Sequence, residues 1–88
     1  MNNQRRRELQ EALNQMRVAI DTLVKARDII ESVHGQELEA YEMLPEGFQE
    51  SERGQQMSEN ADTLENIASS IDDQINEIED CINSAENM

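Results

Sequence analysis

The chain has no tryptophan, one tyrosine, one phenylalanine, one proline and one cysteine in 88 residues. The lone cysteine, Cys81, excludes an intramolecular disulfide and fits a reducing cytoplasm. No apolar run reaches the roughly 18 residues that a membrane span requires, so no membrane partner is expected. Arg5, Arg6 and Arg7 are not followed by an apolar segment, so they do not read as the start of a secretion signal. Cations are scarce: 7 Lys+Arg stand against 20 Asp+Glu, a net charge of −13 at pH 7. Direct nucleic-acid binding needs basic side chains facing phosphates, so this balance argues against it. It allows the reverse, an acidic surface that meets a basic protein face. Leu, Ile, Val and Phe make up 18 of the 88 residues, near the level at which composition alone suggests disorder. Order must come from pattern.

The pattern is clearest in the second half. Met57, Ala61, Leu64, Ala68, Ile71, Ile75, Ile78, Ile82 and Ala85 step alternately by 4 and 3, and almost everything between them is acid, amide or hydroxyl. That is a heptad seam and predicts a long amphipathic helix over about 50–85. The first half shows three parallel rows at a period of seven: Leu9, Met16, Leu23 and Ile30; Ala12, Ala19, Ala26, Val33 and Ala40; and Leu13, Ile20, Arg27, His34 and Tyr41. Its frame continues past Gly35 to Leu44, which predicts one helix over about 4–44 with Gly35 inside it. The small residues of the alanine row suggest a seam at which two helix backbones approach closely.

Between the helices lies Leu44-Pro45-Glu46-Gly47-Phe48. Proline disfavours helix at the residue before it, and Gly47 can take the positive φ that a reversal needs. The turn is expected over 45–49, with Ser51 or a neighbour opening the second helix. The fold class is therefore all-α, an antiparallel two-helix hairpin roughly 55–60 Å long. Two helices pack along one line and enclose little. Val18, Thr22 and Ile29 widen the apolar arc of the first helix beyond what one partner covers, so self-association into a four-helix or larger bundle is expected.

Charge is divided along the chain, with a balance of +1 over residues 1–33 and −14 over residues 34–88. Asp72, Asp73, Glu77 and Asp80 are the candidate contact surface for a basic partner. Arg27, in a mostly apolar row, reads either as a partly buried partner of an acid on the second helix or as an anion contact. Arg5, Arg6, Arg7 and Arg17 are the alternative, phosphate-binding candidates. The plainer reading of Arg5, Arg6 and Arg7 is a frayed, solvated terminus. Cys81 is expected as a small buried hydrophobe. Phosphate loops, Cys-x-x-Cys pairs and nucleophile elbows are absent, so neither enzyme chemistry nor a cofactor is expected. Glu31 and His34 have the spacing of a di-iron ligand pair. The apolar row of the second helix offers no carboxylate to complete it, so no metal is expected.

The stretch Tyr41-Glu42-Met43-Leu44-Pro45-Glu46-Gly47-Phe48-Gln49-Glu50-Ser51-Glu52-Arg53 resembles the turn of a group of small acidic helical-hairpin proteins of phages, prophages and Gram-positive bacteria. The resemblance covers about residues 10–85. It implies a mobile-element origin and no enzyme activity. Tyr41, Leu44, Phe48 and Arg53 read either as a capped turn whose apolar residues plug the end of the bundle or, as a loop on a rigid scaffold, as a second candidate contact site. The expected function is that of a phage or prophage accessory protein that inhibits a host defence protein by stoichiometric binding, through an acidic, DNA-like surface. An oligomeric sponge for a nucleotide immune signal and a structural or assembly subunit are the alternatives.

Overall fold

The computed structural model describes all 88 residues and contains two helices, α1 (Asn3–Glu42) and α2 (Glu52–Glu86), folded into an antiparallel hairpin. The ends of the helices follow from their caps. Asn2 accepts the Arg5 amide at 2.8 Å, which starts α1 one residue earlier than expected. Met43 ends it, donating its amide to the Glu39 carbonyl at 3.0 Å, because Leu44 precedes Pro45. Ser51 is the N-cap of α2 and accepts the Gly54 amide at 3.2 Å, so this helix begins at residue 52 rather than 50. Gly35 lies inside α1, and the helix runs through it unbroken.

The reversal is a type II turn. The Phe48 amide donates to the Pro45 carbonyl at 3.0 Å, and Gly47 supplies the required positive φ of 89°. The hairpin measures 68 × 15 × 15 Å, longer than the helices alone imply because the turn and the termini extend beyond them.

The seam of α2 is the one expected. Ala61, Ala68, Ile75 and Ile82 are buried, and Met57, Leu64, Ile71, Ile78 and Ala85 are half-buried beside them. On α1 the structure selects two of the three rows. Leu9, Leu13, Met16, Ile20, Leu23, Arg27, Ile30, His34, Tyr41 and Leu44 step by 3 and 4 (and by 7 past the half-buried Glu37) along the contact, all buried or half-buried. The alanine row is not the seam. Ala12, Ala19 and Ala40 are exposed and Val33 is 41% exposed. One narrow stripe on α2 covers only two adjacent rows, and covering Leu and Ile removes more apolar area from water than covering Ala. Cys81 is exposed as well, which corrects the expectation of a buried thiol. It stands one residue before Ile82, so the helical turn carries it off the seam onto the flank. No helix is long and apolar enough to cross a membrane.

Candidate functional site

Next to the buried row of α2 lies a second heptad row: Glu65, Asp72, Glu79 and Glu86. All four are carboxylates, and the helix repeat sets them at intervals of about 10 Å along one edge of the seam. The matching row of α1 brings Arg17 and Glu31 to the same edge, with Asp21 and Asp28 behind it.

Two cross-helix ion pairs fix the register. Arg17 pairs with Glu86 near the open end. Arg27 reaches across the seam and donates from Nη1 to Asp72 Oδ1 at 2.6 Å, while its Nη2 lies 3.4 Å from Asp28 Oδ1. The hydrogen bond to Asp72 pushes the Arg27 pKa above the ordinary arginine value, against the opposing effect of desolvation. Arg27 is thus the partly buried, register-fixing partner of an acid on α2, and its cation is already satisfied. Glu65 and Glu79 make no ion pair. This edge therefore alternates neutralised and free carboxylates.

The four acids expected as one contact surface are divided. Asp72 turns toward the seam and serves Arg27. Asp73, Glu77 and Asp80 are exposed and step by 4 and 3 along the outward face of α2, away from that edge. Composition alone could not find the row of Glu65, Glu79 and Glu86. Reading the acids at a period of seven, in phase with the seam, does.

The turn residues are divided in the same way. Tyr41 and Leu44 are half-buried and close the end of the seam, whereas Phe48 is 59% exposed and Arg53 is exposed without an ion pair. Gln49 Nε2 donates to the Tyr41 carbonyl at 3.3 Å and ties the turn to the end of α1. Ser51 Oγ donates to the Phe48 carbonyl. Gly54 is buried where the chain doubles back, and a Cβ there would collide with the carbonyls of Phe48 and Gln49. Much of the turn motif thus has an architectural duty, and Phe48 and Arg53 are the members left free.

The arginines do not assemble. Arg5, Arg6 and Arg7 follow one another at about 100° around the helix and diverge. Arg6 Nε donates to the Met1 carbonyl at 3.2 Å. Arg6 and Arg17 do line one open cleft with Leu9 and Leu13, but Glu86 lines it too and holds Arg17. Glu31 and His34 line a shallow crevice with Glu65, Ser69 and Asp72. The flank of α2, rather than its apolar row, brings carboxylates to that pair, yet no three ligating side chains converge as a metal site requires. No protein-family model, curated protein or solved structure matches the chain.

Proposed function

We propose that the protein is a non-enzymatic binding module that occupies a basic surface of a partner protein, acting stoichiometrically as a phage or prophage accessory protein on a host defence protein. The observation that carries this reading is the acidic edge, where the free Glu65 and Glu79 alternate with the paired Asp72 and Glu86. Solvated carboxylates in a fixed row on a rigid helix present a negative potential without the cost of ordering a flexible segment.

Magnitude decides what kind of basic surface fits. From Gly54 onward α2 carries nine carboxylates and no cation, one charge per roughly 5–6 Å of helix. Duplex DNA carries one per about 1.7 Å. On the edge itself the carboxylates stand about 10 Å apart and two of the four are paired, so the edge suits a local basic cleft on a protein and falls short of imitating a whole duplex.

Affinity capture from a bacterial lysate tests this. The unmodified protein is expected to hold a partner at low salt and release it as salt rises, because exposed charges are screened beyond about 8 Å at physiological ionic strength. The double variant Glu65→Lys, Glu79→Lys is expected to lose that partner. A partner held equally well by the variant, or no partner at all, removes the reading.

A further inference from the structure

The other edge of the seam is chemically the opposite. Since the rows of Arg17 and Glu86 face each other, the rows on the far side of each seam share the remaining edge. On α1 this is the alanine row and, behind it, the row of Gln15, Thr22, Ile29 and Gln36. From Ala12 to Met43 those two rows contain no charged residue. On α2 it is the row of Asn60, Ile67, Gln74 and Cys81, and the row behind that. From Gln56 to Ser84 these contain one charge, Glu77. In a chain that is 31% charged, such a face is set apart from the rest of the surface.

Two more observations point to this edge. Ile29 is 65% exposed and Val33 and Ile67 are each 41% exposed on it, whereas Leu38 is the one exposed large apolar side chain in the acidic-edge rows. The seam is also covered unevenly. Ala61, Ala68, Ile75 and Ile82 are buried, but Leu64, Ile71 and Ile78, which adjoin the neutral edge, stay half-buried. The apolar interior is open on this side.

We propose that the neutral edge is the docking surface for a second copy of the chain, forming an isologous four-helix bundle. Charge selects this occupant. A basic protein finds almost nothing to pair with here, while two copies of −13 each can approach only where carboxylates are absent. Contact through the neutral edges points both acidic edges outward. The size also fits. The rows from Ala12 to Met43 span roughly 45 Å of helix, and the hairpin is 15 Å wide. That gives roughly 700 Å² per copy, close to the typical 800 Å² per partner of a stable interface. A self-complementary patch on both subunits is what a closed two-fold dimer requires. This proposal does not rest on the acidic-edge reading.

Sedimentation and light scattering at micromolar concentration test it. The unmodified chain is expected at twice 10.1 kDa. Ala19→Glu and Ile29→Glu, both at positions exposed in the hairpin, are expected to return it to 10.1 kDa with helix content retained. Asn76→Glu, a change of the same kind on the opposite side of α2, is expected to leave the doubled mass intact. Cys81 gives a second readout that needs no folding comparison. Its thiol is exposed in the hairpin but lies on the neutral edge, so alkylation is expected to slow several-fold as protein concentration rises. A monomer at micromolar concentration, a mass insensitive to Ala19→Glu and Ile29→Glu, or a Cys81 rate independent of concentration overturns the proposal.

Discussion

Arg27 and Asp72 meet across the seam at 2.6 Å, and Arg27 does so from a seam position that Ile20 and Leu13 fill one and two heptads earlier. An arginine at such a position fixes register by having one partner on the facing helix within reach. Its contribution to stability is a separate matter, because desolvating the guanidinium opposes the gain from pairing. Replacing Arg27 with leucine extends the apolar seam and releases Asp72, which keeps much of its contact with water. Arg27→Leu is therefore expected to raise the midpoint of thermal unfolding, followed by circular dichroism. A lowered midpoint means that the ion pair stabilises the hairpin on balance.

Ile75 is 6% exposed, so an aspartate there buries a carboxylate in the apolar seam. Ile75→Asp is expected to cost ~3 kcal/mol or more and to abolish helicity at room temperature. Ile71 is half-buried on the neutral-edge side, so Ile71→Asp is expected to retain more helicity and to halve the mass. Equal loss of helicity in the two variants contradicts the uneven covering of the seam.

The two helical glycines are expected to respond with opposite signs. A Cβ at Gly35 meets nothing within 4 Å, so Gly35→Ala removes a helix penalty and should stabilise by about 0.5–1 kcal/mol. At Gly54 the same atom collides with the carbonyls of Phe48 and Gln49, and Gly54→Ala should destabilise by about 1–3 kcal/mol. Denaturant midpoints measured side by side check both. A Gly54→Ala protein as stable as the parent contradicts the close approach at the turn.

How far the sequence reveals this architecture depends on how many competing rows each segment offers. In α2 a single apolar stripe of two adjacent rows stands among acids, amides and hydroxyls, so Met57 to Ala85 can be read directly. Pro45, Gly47 and Ser51 announce the reversal through their own backbone chemistry. In α1 three rows compete, and choosing between the alanine row and the row of Leu13 and Ile20 requires knowing how wide a stripe α2 presents. The misplacement of Cys81 is an error of the same kind, since a flank position is buried only if something covers it. The excess of acid is plain in the sequence. Which carboxylates share a row can be read at a period of seven; that Asp72 and Glu86 are neutralised while Glu65 and Glu79 are free follows only from the ion pairs Arg17–Glu86 and Arg27–Asp72.

Calorimetry with cyclic di- and trinucleotides is expected to show no saturable binding. Arg5, Arg6 and Arg7 diverge, Arg17 is held by Glu86, and the two aromatic side chains lie near the turn at the opposite end of the rod, where no base can stack beside those arginines. Tight, saturable heat with any member of such a panel makes the nucleotide sponge the better account of the molecule.

The most direct test of the acidic edge is the affinity for the captured partner, measured against ionic strength for three proteins: the parent, Glu65→Lys with Glu79→Lys, and Ile29→Glu. Screening shortens from about 8 Å at physiological salt to about 3 Å at 1 M. Affinity of the parent should fall steeply over that range, the double lysine variant should bind weakly even at low salt, and Ile29→Glu should retain binding at each copy. An affinity indifferent to salt and to the lysine substitutions, but lost in Ile29→Glu, contradicts the account and moves the binding surface to the neutral edge.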